Sequence, residues 1–205
     1  MRRTRSGRFL LGLLLAALPA AAGEMLVLQV DPARTSVDFV LEATMHTVDG
    51  HLGSAAGRIA FDPASTLATG ELVIDLVGAE TGVGRRDKKM HAKILETDRY
   101  PTAVFRVSRI DLPHSLRQGR NELQLHGELE LRGSRYPVLV PAVATLDGDR
   151  VAATAWIEIP YIDWGLQDPS FFVLRVAKTV RVEIETAGRL EGDLPASAAV
   201  TNDRR

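Results

Sequence analysis

Apolar and polar residues alternate along most of this chain. Val37, Phe39, Leu41 and Ala43 alternate with Asp38 and Glu42, and Leu72, Ile74 and Leu76 with Glu71 and Asp75. Between Asn121 and Leu131, the residues Leu123, Leu125, Leu129 and Leu131 interleave with Glu122, Gln124, His126, Glu128 and Glu130 without an error. Val180, Val182 and Ile184 do the same against Arg181, Glu183 and Glu185. Successive side chains of a strand point to opposite faces, so a period of two describes a sheet with one dry and one wet side.

Turn signals separate the runs: Asp62-Pro63, Gly78, Arg117 to Gly119, Gly133-Ser134 and Asp147-Gly148-Asp149. The pattern predicts about eight strands, over 25–30, 36–43, 52–61, 70–77, 103–110, 121–131, 136–146 and 150–159, with a further closing strand over 177–190. Long strands, tight hairpins and no crossover helices favour an all-β, antiparallel up-and-down barrel. One internal segment, Thr81 to Phe105, breaks the alternation. There Asp87 is expected to cap a short helix running to Leu95, with Met90, Ile94 and Leu95 on one side and Pro101 as the stop, so that the insert forms a lid or plug on the barrel.

The chain begins with Arg2, Arg3, Arg5 and Arg8, an apolar run from Phe9 to Ala20, and small residues at Ala20, Ala21 and Ala22. This reads as an export signal over 1–22 cleaved near Ala22, because the apolar run is too short to span a bilayer. The expected domain is then 23–190, the polar, aperiodic residues 191–205 form a disordered tail, and the expected location is the periplasm or cell exterior. Without the four arginines of residues 1–22, the 25 basic residues fall to 21 against 26 acidic, a net charge of about −5. No basic patch stands out, so nucleic acid is excluded as a partner and anionic lipid headgroups are expected to exert no long-range pull. The chain has no cysteine. Disulfides and thiol chemistry are excluded, and stability must come from the core.

A barrel of about eight strands is either filled by its own side chains or hollow enough for one slim ligand. Bulky inward candidates (Phe39, Leu41, Ile74, Leu76, Phe105, Leu125, Leu129) mix with small ones (Ala43, Gly127, Ala153, Ala155), and aromatic residues make up only 5% of the chain, which leaves room for a cavity. Trp164 and Phe171, in the aromatic-rich connection before the last strand, are candidates for the cavity mouth. The histidines His46, His51, His91, His114 and His126 show no metal-pair spacing, and neither a nucleophile elbow nor a phosphate loop is present, so no catalytic residue, metal or cofactor is expected. Two alternatives stand beside a binding protein. One is a lipid-modifying enzyme using Asp87 with His91 or His46 as an acid/base pair, and the other is a packed barrel acting as an interaction protein.

The chain also resembles a known family. The resemblance is carried by Val30-Asp31-Pro32, Ser36-Val37-Asp38-Phe39, Gly57 to Asp62, Thr81-Gly82 with Arg86-Asp87, Tyr100-Pro101 with Phe105, Gly127 to Gly133 with Pro137-Val138, and Asp163-Trp164-Gly165. In order and spacing these are similar to the YceI-like family of exported, polyisoprenoid-binding, lipocalin-like proteins. Many members carry a histidine two residues after the Arg-Asp pair; here Lys89 stands at that position and His91 two residues on, as in a distinct branch. The resemblance implies a bound isoprenoid lipid or quinone as ligand and no enzymatic residues. Its headgroup is expected near Arg85, Arg86 or Lys89, where a phosphate would find partners. Transient contact with a membrane or membrane protein, and a homodimer, are compatible with this reading.

Overall fold

The protein is described by a computed structural model over residues 25–44, 46–170 and 175–193. The expected signal over 1–22, most of the expected tail and Phe171 lie outside the described residues. Nine strands are described: β1 (Leu26–Glu42), β2 (Thr47–His51), β3 (Ala55–Phe61), β4 (Leu67–Asp75), β5 (Thr102–Asp111), β6 (Gly119–Leu131), β7 (Ser134–Asp147), β8 (Arg150–Ile159) and β9 (Val180–Glu191). Every pairing is antiparallel. β1 and β3 to β9 pair in sequence order, and β9 returns to β1, closing a barrel of eight. β2 extends the position of β3 along the same edge of β1, pairing with Asp38 to Glu42 while β3 pairs with Leu26 to Gln29.

Period two survives folding because the barrel interior is the dry face. Val37, Phe39, Leu72, Ile74, Phe105, Leu129, Val140 and Val182 are all buried inside it. Several boundaries differ from expectation: β2 has no counterpart among the expected strands, β4 runs from Leu67 to Asp75 rather than over 70–77, and β9 starts at Val180 rather than 177. The strands expected over 25–30 and 36–43 are one, since Asp31 to Arg34 form a bulge against β9 between the pairs Val30↔Gly188 and Thr35↔Thr186. Within that bulge Asp31 accepts from the Ala33 amide at 3.0 Å and its carbonyl from the Thr35 hydroxyl at 2.8 Å, so the turn-like residues are absorbed locally. The strand expected over 52–61 is instead preceded by a break, where Leu52 bonds to Val37 and Gly53 to Asp75. Finally, Glu191, expected in the tail, is the last residue of β9.

The insert is α1 (Gly84–Lys89), which widens into a π-helical turn over Met90–Leu95. Bonding from i to i+5 sets Met90 over both Ile94 and Leu95, so all three face the barrel. Asp87 does not cap this helix. The N-cap is Val83, with no side-chain cap, and Asp87 lies one turn inside, where its carboxylate accepts from the Thr81 amide at 2.9 Å and from the Thr81 hydroxyl.

Candidate functional site

The barrel is hollow. Its cavity has a volume of about 300 Å³ and is lined by inward residues of every strand in the ring. Phe39, Leu41, Ile74, Leu76, Phe105, Leu125 and Leu129 all line it, as the alternation places them. The space lies against a wall of small residues: Ala142 pairs with Ala155 and Ala144 with Ala153 across β7 and β8, and all four face the cavity. Two of these, Ala142 and Ala144, were not singled out by the sequence, although the alternation through Val138 and Val140 already places them inward.

Met90, Ile94 and Leu95 close one end. At the other, Leu116 sits in the loop between β5 and β6 and is held there by Asn121. The Asn121 amide donates to the carbonyls of Arg117 (2.7 Å) and Gly119 (2.9 Å), and its oxygen accepts from the Arg117 amide at 3.1 Å.

Polar lining groups are few and each is engaged. The Thr186 hydroxyl lies 2.7 Å from that of Thr35, and Tyr161 donates its hydroxyl to the Ala177 carbonyl at 2.8 Å. Burial, reinforced by the Asp168 carboxylate, pushes the Tyr161 hydroxyl up to about 12, so it stays neutral. Asp168 itself lies below the ordinary carboxylate range because Ser170 hydrogen-bonds it, with Lys178 and Arg175 adding to the effect. A ligand in this cavity therefore meets hydrocarbon and no free charge, and a polar group placed deep inside would lose its water without replacement.

The remaining candidates are placed unevenly. Trp164 is absent from the cavity lining: its ring stacks on Tyr136 with centroids 4.0 Å apart, and the Tyr136 hydroxyl donates to the Trp164 carbonyl at 2.8 Å. The stacked pair packs against the core without the indole lining the cavity. Of the expected headgroup residues, Arg85 is exposed. Arg86 is turned onto Thr81, its Nε donating to the hydroxyl at 2.7 Å and its Nη2 to the carbonyl at 3.0 Å. Lys89 reaches the carbonyl of Pro169, a lining residue, at 3.5 Å, and so stands at the rim.

Asp87 and His91 are held apart by separate partners. Asp87 is fixed on Thr81, whereas His91 Nε2 donates to the Ala79 carbonyl at 2.8 Å and its Nδ1 lies 3.1 Å from the Thr97 hydroxyl. Both side chains brace the connection between β4 and the lid, and neither lines the cavity. His46 is an exposed loop residue.

Fold and site together define a class: a closed antiparallel β-barrel built around an apolar cavity under a short helical lid. The chain belongs to the YceI-like family, whose YceI-like domain matches residues 28–187, from within β1 to within β9. A UPF0312 protein of Vibrio cholerae serotype O1 is 23% identical over 171 residues, covering 79% of this chain and 85% of that protein. Among solved structures, Burkholderia cenocepacia BcnA aligns with a TM-score of 0.64 at 20% identity, covering 77% of this chain and 98% of that one. A polyisoprenoid binding domain from Saccharophagus degradans, implicated in plant cell wall breakdown, aligns with a TM-score of 0.64 at 19% identity, covering 80% of this chain and 98% of that one. At these identities the structural likeness establishes the shared barrel.

Proposed function

We propose that this protein is an exported binding protein that holds a long, slim amphiphile of isoprenoid type, a polyprenyl lipid or a quinone, with its tail inside the barrel. The observation that carries this reading is the cavity of about 300 Å³, whose lining is hydrocarbon apart from polar groups already bonded to protein. Burying a hydrocarbon chain releases about 0.8 kcal/mol per CH₂, so two or three isoprene units supply micromolar-scale binding after association costs. The headgroup then belongs at the rim, near Lys89, because nothing within the cavity would solvate it. Kinship with a polyisoprenoid binding domain supports the ligand class. The attachment of Asp87 and His91 to lid backbone and hydroxyl groups favours holding a lipid over transforming it. Export rests on the basic, apolar and small-residue order of residues 1–22.

Mass spectrometry of lipid extracted from protein purified natively from its own envelope tests the reading. A polyprenyl or quinone species in near-stoichiometric amount is the expected result. Protein that carries no lipid and takes up none from added polyprenyl lipid would leave an interaction protein as the better description.

A further inference from the structure

The lid carries its charge on the side opposite the cavity. Arg85, Lys88, Lys89 and Lys93 are all exposed and recur at the i, i+3, i+4, i+8 spacing of one helical face, while Met90, Ile94 and Leu95 face inward. In sequence, Asp87 interrupts this cationic run and masks it. In the fold, its carboxylate turns back onto Thr81 and leaves the outer face without an acid. Among the described residues none of the four cations forms an ion pair. Among the described residues the only side-chain hydrogen bond from one of them is that of Lys89 to the Pro169 carbonyl. Val77 and Val83, exposed to 58% and 49%, flank the helix.

Charge is also unevenly divided over the molecule. The connection from Leu76 to Pro101 holds six cations (Arg85, Arg86, Lys88, Lys89, Lys93, Arg99) against four acids (Glu80, Asp87, Glu96, Asp98), a net +2. From residue 23 onward the chain carries about −5, so the rest carries about −7. The averaged charge predicts no attraction to anionic headgroups; its distribution predicts attraction at the lid alone, with the barrel body repelled.

We propose that the outer face of the lid helix, Arg85, Lys88, Lys89 and Lys93, is a docking surface for the anionic phospholipid headgroups of a bilayer. Docking is peripheral, since the outer wall of the barrel is polar, as at Glu122, Gln124, Glu128 and Glu130 of β6. It brings the rim at Lys89 and Pro169 against the bilayer, where a lipid tail can pass to the cavity without crossing water. That last consequence rests on the proposed lipid ligand, whereas docking itself does not.

Flotation of the full chain with vesicles of phosphatidylcholine, alone or with about a third phosphatidylglycerol, tests the surface at low salt and at about 0.3 M salt, where the Debye length falls below the helix diameter. Binding is expected only to the anionic vesicles and only at low salt. Lys88→Glu with Lys93→Glu should abolish it, whereas Arg117→Glu with Arg150→Glu, an equal change in net charge at the opposite end of the barrel, should weaken it far less. If the lid double variant fails to fold by circular dichroism, Lys88→Gln and Lys93→Gln singly are each expected to lower binding about fivefold. No binding to anionic vesicles at low salt, or equal loss from both double variants, overturns the proposal; the former would redirect it to an acidic protein partner. The readout is vesicle binding rather than cavity occupancy, so failure here leaves the ligand reading intact, and an empty cavity leaves docking intact.

Discussion

Glu96 and Arg132, 36 residues apart, are the two non-glycine residues among those described with a left-handed backbone, each at φ 51°, and they are bonded to each other, Arg132 Nη2 donating to Glu96 Oε1. Glu96 ends the lid and Arg132 opens the two-residue turn to Gly133 between β6 and β7. The pair ties the lid to the barrel rim. Arg132 Nε is buried without a partner, so removing Glu96 would leave the guanidinium poorly satisfied. Glu96→Ala is expected to cost about 1–3 kcal/mol in urea unfolding and to speed amide exchange over Met90 to Thr97. Arg132→Asn, which suits a left-handed turn position and removes the cation as well, should cost less.

Ile74 and Leu129 both face the cavity. Ile74→Trp and Leu129→Trp should fill it and lower the lipid recovered with the purified protein, with little loss of stability. In a barrel without spare volume the same changes would overpack the core at about 1–3 kcal/mol each, visible as a lowered denaturation midpoint.

Gly127, midway along β6, passes closely over β5. A Cβ there would fall 2.8 Å from the Phe105 ring and 2.9 Å from the Arg106 carbonyl carbon, and backbone cannot yield as a side chain does. Gly127→Ala is expected to destabilise by about 1–3 kcal/mol in chemical denaturation. The cost should appear mainly in the β5–β6 amides by hydrogen exchange.

Two carboxylates on the outer wall are held below their ordinary range. Asp111 is held mainly by its hydrogen bond from Arg109, with His126 adding, and Glu130 mainly by Arg106, with Arg135 adding. A depressed native pKa contributes stability above the unfolded value of about 4, lost as pH falls through the lower native value. The melting temperature should therefore fall on acidification from about pH 5 to pH 3, and Asp111→Asn should flatten that slope. Because these groups are at the surface, about 0.5 M salt should flatten it too.

Much of the interior was legible before folding, because a barrel has a single dry face and alternation reports it residue by residue. Phe39, Ile74, Phe105 and Leu129 needed only their parity. What parity does not report is which partner takes up a polar side chain or an aromatic ring. Asp87 reads as a helix cap but is taken up by Thr81, six residues back, while Trp164 stacks on Tyr136, and neither carboxylate nor indole announces its partner. The pairing of Glu96 with Arg132 is equally silent, since each reads alone as a surface charge. The break expected between residues 30 and 36 is a turn in miniature, but the register with β9 resumes at Thr35 and absorbs it as a bulge.

The closure of β1 onto β9 also sets an order of events. Each strand from β3 to β8 pairs with the next, so those hairpins can form as the chain lengthens, whereas contacts such as Thr35 with Thr186 join residues 151 positions apart. The ring cannot shut until the last strand has been made. Before then there is no enclosed interior, only a curved sheet with two raw edges and an unsheltered apolar face. A chain still being synthesised, or threaded extended through a pore, thus has no finished barrel to unravel, and it gains its cavity only where its final strand is released.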